Sequence, residues 1–174
     1  LADAAAALET AHGAKGRVEP VPTDGDYSIF IDYAVTPDAI ENVLTTLRGI
    51  APKRLVMLFG AGGDRDRKKR PIMGKLSADI ADFVIVTSDN PRTEDPMSII
   101  EEILPGVRAG KAPYKVICDR PEAIRWAIDH HEPGDVILLC GKGHEDYQII
   151  GHEKIHMDER EIVADYLAER AKRT

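Results

Sequence analysis

The chain has 174 residues, 43% hydrophobic and 30% charged, a length and balance that suit one globular domain with a proper core. Its formal net charge of −7 excludes a general nucleic-acid or anionic-membrane surface, which needs a basic excess, so any bound anion must meet a local basic cluster. No apolar run approaches the roughly 18 to 20 residues that span a bilayer, and Leu1-Ala2-Asp3 lacks the n-region and h-region of a signal peptide; the expected compartment is cytoplasmic. Two cysteines, Cys118 and Cys140, are too few for a disulfide framework. The first residue is not Met and lies in an Ala-rich stretch, so the chain is expected to be a segment of a longer one.

In chain order, residues 1 to 12 favour a helix, and His12-Gly13-Ala14-Lys15-Gly16 breaks it. Pro20, Pro22 and Gly25 then keep the path irregular, as in a linker between two units. From Tyr27 onward a rhythm sets in. Apolar runs suited to buried strands occupy Ser28 to Asp32, Arg54 to Phe59, Phe83 to Thr87, Lys115 to Cys118 and Asp135 to Leu139. A polar loop and a helical pattern follow each run. Four helices are expected to open on proline, whose missing N–H has no partner to lose in the first turn. These start at Pro37 after Thr36, Pro71 after Arg70, Pro96 after Asp95 and Pro121 after Arg120. A final helix runs from about Asp158 to Arg173, with Ile162, Val163, Tyr166 and Leu167 as its apolar stripe. Strands alternating with helices predict an α/β fold: a doubly wound, mostly parallel sheet of about five or six strands flanked by helices, Rossmann-like in plan. Ligands of such folds sit at the carboxyl ends of the strands.

The loops at those ends hold the chemistry. After the second run comes Gly60-Ala61-Gly62-Gly63-Asp64-Arg65-Asp66-Arg67-Lys68-Lys69-Arg70, where glycines allow close approach and guanidinium groups can meet a carboxylate or phosphate. It fails as a dinucleotide fingerprint, since Arg65 stands where GxGxxG has its third glycine. A solvated basic loop is the plain alternative. After the third run, Ser88-Asp89-Asn90-Pro91-Arg92-Thr93 can hold a zwitterion, the acid taking an ammonium and the arginine a carboxylate; a helix-capping turn would use the same residue types. After the fifth, Gly141-Lys142-Gly143-His144-Glu145-Asp146 suits a polar ligand, although a tight turn also explains its glycines. Arg65, Arg67, Lys68, Lys69, Arg70 and Arg92 are expected to gather as a cationic cluster at the strand ends.

Two strings mislead. His152-Glu153-Lys154-Ile155-His156 matches HExxH, which binds zinc only when both histidines share one helical face, whereas its surroundings predict a hairpin or loop. Gly106-Val107-Arg108-Ala109-Gly110-Lys111-Ala112 is one residue short of a phosphate-binding loop and ends in alanine instead of Ser or Thr. No metal ligand and no catalytic base stands out. Cys118 and Cys140 read as small buried apolar residues, and His130-His131 as favourable charge near the end of a helix.

Taken together, Gly16-Arg17-Val18-Glu19, Asp32-Tyr33-Ala34-Val35-Thr36-Pro37, Gly62-Gly63-Asp64-Arg65-Asp66 with Lys69-Arg70-Pro71, Asp89-Asn90-Pro91-Arg92 and Gly141-Lys142-Gly143-His144-Glu145-Asp146-Tyr147 resemble the C-terminal domain of a Mur ligase of the meso-diaminopimelate-adding type. The resemblance implies an ATP- and magnesium-dependent ligase of peptidoglycan synthesis that phosphorylates a carboxylate and lets an amine attack the acyl phosphate. It implies that Arg65, Asp89, Asn90, Pro91, Arg92, Gly141 and Glu145 bind diaminopimelate, and that Arg17 and Asp32 reach ATP. Where the family usually has histidine, this chain has Val35. Residues 1–15 correspond to the last helix of a central ATP-binding domain plus a linker, and 16–174 to the C-terminal domain. The implied partners are the amino acid, a UDP-sugar dipeptide, and the N-terminal and central domains of the same polypeptide, with no nucleic acid and no membrane. Because those domains supply the phosphate-binding loop and metal ligands, the chain is expected to be inactive alone. Alternatives are a lysine-adding ligase of the same family, a non-catalytic amino-acid or nucleotide-binding module, and a nicotinamide oxidoreductase, the last disfavoured by the broken fingerprint.

Overall fold

The computed structural model describes residues 13–50 and 53–173; the expected helix over residues 1–12 lies outside them. Strands β1 (Glu19–Val21), β2 (Ser28–Asp32), β3 (Arg54–Phe59), β4 (Phe83–Val86), β5 (Tyr114–Val116) and β6 (Asp135–Cys140) form one sheet in the order β1-β2-β6-β3-β4-β5. All neighbours pair in parallel except β1, which runs antiparallel to β2. The expected doubly wound, mostly parallel sheet is therefore present with six strands. β1 corrects the linker reading: Pro20 is tolerated because the strand lies at the sheet edge, where a missing N–H need not break a ladder. A separate antiparallel hairpin joins β7 (Tyr147–Ile150) to β8 (Glu153–His156) and contains the HExxH string, so its two histidines share no helix.

Helices α1 (Pro37–Gly49), α2 (Lys69–Ile80) and α3 (Pro96–Ala109) cover one face, and α4 (Arg120–Asp129) and α5 (Glu159–Ala171) the other. α1 lays Ile40, Val43, Leu44 and Leu47 on the first face, while Ile124 and Ile128 of α4 and Val163 and Tyr166 of α5 cover the second. β6 is buried along its whole length, as the central strand of a sheet covered on both faces must be.

The helix starts follow local chemistry. Thr36, Asp95 and Asp119 cap α1, α3 and α4 by accepting from Ala39, Ser98 and Glu122 N–H groups. Two starts differ from expectation. α2 opens at Lys69, two residues before Pro71, without a side-chain cap, and α4 opens at Arg120, so Pro121 is its second residue. Both still spare the proline a hydrogen bond, since the first turn has none to lose. His130 is the C-cap of α4 and not a residue within it. Among the described residues no helix is long and apolar enough to cross a membrane.

Register decides where the site lies. Asp32 and Phe59 both pair with Cys140, and Phe59 with Val86, so β2, β3, β4 and β6 end level with one another. The loops that follow, which begin the Tyr33, Gly60, Thr87 and Gly141 segments, open side by side.

Candidate functional site

Those loops enclose a cavity of about 360 Å³, lined among others by Tyr33, Val35, Gly60, Arg65, Lys69, Asp89, Arg92, Gly141 and Glu145. The structure thus brings together six of the seven expected amino-acid-binding residues: Arg65, Asp89, Asn90, Arg92, Gly141 and Glu145. The Asn90 side chain, however, is largely spent on its neighbours. Its Oδ1 accepts from Lys142 Nζ and Ile149 N at 2.8 Å each, and its Nδ2 donates to Glu145 Oε2 at 2.9 Å. One donor of four possible bonds remains. Pro91 is buried and is not part of the cavity lining; it shapes the loop, its carbonyl accepting from Glu94 N at 3.1 Å.

Two loops are stapled beneath the cavity by acids remote in sequence. Arg70, 1% exposed, donates from Nη1 to Glu94 and Glu102 at 2.9 and 2.8 Å, and from Nη2 to Glu94 at 2.8 Å. Arg67 also pairs with Glu102. Glu94 further accepts from Asp64 N at 2.6 Å. Hydrogen bonding to Arg70 lowers the Glu94 carboxyl to about 2. The expected cationic cluster is therefore corrected: Arg67 and Arg70 are internally neutralised, and Lys68 does not line the cavity. Arg65, Lys69, Arg70 and Arg92 do, and no carboxylate among the described residues pairs with Arg65, Lys69 or Arg92.

Arg92 is held in an unusual pose. Its backbone has φ 52°, uncommon for a residue with a Cβ, and the conformation is fixed from both sides. Its N–H donates to Ile149 O at 3.0 Å and its carbonyl accepts from Gly151 N at 2.8 Å, docking the β7–β8 hairpin. Nη1 donates to Gly63 O at 2.9 Å. Gly63 is required there, because a Cβ would come 1.8 Å from Pro91 O.

The acids are of two kinds. Asp89 is 6% exposed, and its Oδ1 accepts from Asn90 N at 2.6 Å while its buried Oδ2 has no partner. Gly141 lies against that oxygen, since a Cβ at Gly141 would approach it to 2.7 Å. Glu145 is instead surrounded by donors. Burial raises its proton affinity, but hydrogen bonds from Lys142, Asn90 and Tyr33 together with the Lys142 charge prevail and keep the carboxyl below its ordinary value. Burial and then Glu145 push the Tyr33 hydroxyl up.

The two residues expected at a nucleotide lie beside the cavity and outside its lining. Arg17 is exposed, with its guanidinium carbon 5.2 Å from the centre of the Tyr33 ring. Asp32 is buried, and its two oxygens accept from Val18 N at 2.9 Å and Ala34 N at 2.8 Å. Its evident work is to fix the turn that carries Arg17. Val35 is 45% exposed at the cavity wall. Cys140 is buried and donates from Sγ to Ala34 O at 3.2 Å; burial pushes its thiol far up, which is unlike a nucleophile. Among the described residues no group of three or more His, Cys, Asp or Glu side chains could hold a metal ion.

Sequence reasoning left out Lys142 and Tyr33 as site residues, although both stood in quoted motifs. A lysine between two glycines at a strand end was the available signal. Arg120 had none: fully buried, it donates to Glu159 Oε1 at 2.8 Å, Ser88 O at 3.2 Å and Cys140 O at 2.9 Å, tying the roots of the Asp89 and Gly141 loops together.

Fold and site together define a doubly wound α/β domain with a strand-end pocket carrying unpaired guanidinium groups and a buried unpaired carboxylate oxygen. The family model described as "Mur ligase, glutamate ligase domain" matches residues 16–143, and the chain belongs to the Mur ligase family. It is 54% identical over 158 residues to a UDP-N-acetylmuramoyl-L-alanyl-D-glutamate–2,6-diaminopimelate ligase of Caldanaerobacter subterraneus subsp. tengcongensis, covering 91% of this chain and 33% of that protein. A ligase of the same name from Syntrophomonas wolfei is 47% identical over 167 residues, covering 95% and 34%. A solved structure of such a ligase superposes with TM-score 0.84 at 38% identity over 95% of this chain and 34% of that one. The chain spans about a third of the length of these relatives. Thermotoga maritima UDP-N-acetylmuramate-alanine ligase, 22% identical with TM-score 0.62 over 97% of this chain and 32% of that one, shares the fold.

Proposed function

We propose that this chain is the amino-acid-delivering C-terminal part of an ATP-dependent ligase that adds meso-diaminopimelate to UDP-N-acetylmuramoyl-L-alanyl-D-glutamate. One observation carries the reading: Arg65 and Arg92, without carboxylate partners, share a pocket with the unpartnered buried Asp89 Oδ2. That set is complementary to an amino acid whose distal centre bears both a carboxylate and an ammonium. Arg65 and Arg92 take the carboxylate, Arg92 as a two-pronged donor, and Asp89 and Glu145 take the ammonium. Lysine lacks the distal carboxylate and would leave the free N–H groups of the half-buried Arg92 without a charged partner, a defect worth roughly 10²- to 10³-fold in selectivity.

In the proposed reaction the γ-phosphoryl group of ATP passes to the D-glutamate side-chain carboxylate. The second amine of the amino acid then attacks the acyl carbon, forming the amide and expelling phosphate. This domain's part is to fix the amine donor, which turns a bimolecular encounter into an oriented one. Arg17 reaches the ATP phosphates, and Asp32 acts through the turn it holds. Magnesium finds no suitable ligand set among the described residues and is given no step. No residue is assigned as general base.

The test is a chimera in which this chain replaces the matching third of the Caldanaerobacter relative. It should ligate diaminopimelate in preference to lysine, and the 174-residue chain alone should show no turnover. Preference for lysine would favour the lysine-adding alternative. Tight binding of an amino acid or nucleotide by the chain, with an inactive chimera, would favour a binding module.

A further inference from the structure

Lys142 is fully buried, which lysine almost never is without a partner. It follows β6 between Gly141 and Gly143, at φ 116° and 53°, and these left-handed turns direct its side chain inward. Its Nζ donates to Glu145 Oε2 and Asn90 Oδ1 at 2.8 Å each and lies 5.4 Å from the centre of the Tyr147 ring. Asn90 Nδ2 reaches the same Glu145 oxygen at 2.9 Å, and the Tyr33 hydroxyl donates to Oε1 at 3.3 Å. Three donors from three loops converge on one carboxylate, and only the lysine brings charge.

We propose that Lys142 is a positioning residue: its buried ammonium keeps Glu145 a fixed, charged acceptor and sets the face Asn90 presents, so that a preformed anion meets the ligand's amine. This rests on the amino-acid reading of the pocket given above. A carboxylate enclosed in this way could instead take up a proton, because burial disfavours its charge. Protonated, Glu145 would lose most of its attraction for an ammonium. The other groups facing this network are Tyr33 after β2, Asp89 after β4, Tyr147 on β7 with Lys154 of β8 lying 4.1 Å from its ring centre, and His144, whose ring centre lies 5.0 Å from that of Tyr33. None of them replaces the Lys142 contact, since the ammonium alone is both cationic and hydrogen-bonded to Glu145.

Lys142→Met keeps most of the stem and removes the charge. Carbon-13 NMR of the chain with labelled glutamate carboxyls, the Glu145 signal assigned by its loss in Glu145→Gln, reads the effect without any ligand. In the parent chain the Glu145 carboxyl titrates below its ordinary value, and in Lys142→Met its titration moves up by more than about one pH unit. Calorimetry with meso-diaminopimelate from about pH 4.5 to 8.5 should show the smaller change of affinity in the parent. In Lys142→Met the affinity should weaken roughly tenfold per pH unit below the displaced titration and recover above it. The same contrast should persist in a His144→Gln background. Lys142→Met/Glu145→Gln should be more stable than Lys142→Met and bind weakly at every pH. An unmoved Glu145 titration in Lys142→Met, or a double variant no more stable than the single one, would overturn the proposal. Should Lys142→Met not fold, Lys142→Gln and the double variant are read against the same criteria. A displaced titration with no diaminopimelate binding by the parent would refute the functional reading and support the positioning role alone.

Discussion

Replacing Arg92 by glycine removes the guanidinium while suiting the backbone, because the residue sits at φ 52°, where glycine is at ease. Of its side-chain nitrogens only Nη1 is engaged, by Gly63 O at 2.9 Å and Asn90 O at 3.4 Å. The remaining N–H groups are available to a carboxylate. Two charge-assisted hydrogen bonds contribute roughly 3–6 kcal/mol between them. The half-buried guanidinium gives back part of this as lost hydration, which leaves about 3–4 kcal/mol, or roughly 10²- to 10³-fold in affinity. Arg92→Gly is therefore expected to weaken meso-diaminopimelate by that factor and leave lysine no weaker, so that discrimination between the two collapses. Arg92→Ala should do the same with an added strain cost of about 1 kcal/mol, visible as a lower Tm. Arg92→Lys should restore little, since an ammonium cannot form the two-pronged contact. Calorimetry with both amino acids, and kcat/KM in the chimeric ligase, measure this directly. Equal losses for both amino acids, or none for either, would remove Arg92 from recognition of the distal carboxylate.

Gly141→Ala places a Cβ 2.7 Å from Asp89 Oδ2 at φ +116°; it should lower stability by about 1–3 kcal/mol and abolish amine binding. Gly134→Ala, at φ +86° and facing only the Lys53 side chain, should lower Tm without touching affinity, and a similar affinity loss there would refute the steric reading. Glu94 and Glu19 are held at about 2 against an ordinary 4.5, chiefly by hydrogen bonds from Arg70 and Arg160. Because the folded values are depressed, the stability they confer is present above about pH 4.5 and lost as pH falls toward 2. Urea unfolding of Glu94→Gln/Glu19→Gln should show lower stability at pH 7 and a flatter dependence over that acid window, and an unchanged slope would refute it. Arg120→Met strands the buried Glu159 and should cost about 3–5 kcal/mol, most of it recovered in Arg120→Met/Glu159→Leu. Ligand affinity should stay reduced in the double variant, since Ser88 O and Cys140 O still lack their donor.

The parallel strands were legible because each is an unbroken apolar run between polar loops, and α1 and α3 because Thr36-Pro37 and Asp95-Pro96 state cap and first turn together. β1 was not legible: Glu19-Pro20-Val21 has no periodicity of its own and becomes a strand only because β2 offers an open edge. The start of α2 was misread for a related reason. Lys69 and Arg70 enter the helix because Glu94 and Glu102 draw the Arg70 guanidinium inward, and neither acid is near it in sequence. In the site, residues standing in the strand-end loops were readable by type, as with Asp89 and Arg92 in one loop and Glu145 in another. Their division of labour was not, because it depends on which partner each meets across the cavity. Asn90 and Pro91 belong to the same four-residue string as Asp89 and Arg92, yet mainly hold the pocket together.

That division explains how an acidic chain builds the pocket we propose for a zwitterion. Its cations at the strand ends fall into two sets. Arg67, Arg70, Arg120 and Lys142 are matched with internal carboxylates, and all but the exposed Arg67 are fully buried, so their desolvation is compensated within the fold and their effect is geometric. Arg65, Lys69 and Arg92 are matched with none and remain exposed or half-buried. Recognition must fall to this second set, because a ligand carboxylate can displace water from it without breaking an ion pair. The acids divide in the same way, Glu145 held by Lys142 and Asp89 Oδ2 left unpaired. A pocket with both unpaired guanidinium groups and an unpaired carboxylate oxygen favours a ligand that brings both charges, over one that brings only an ammonium.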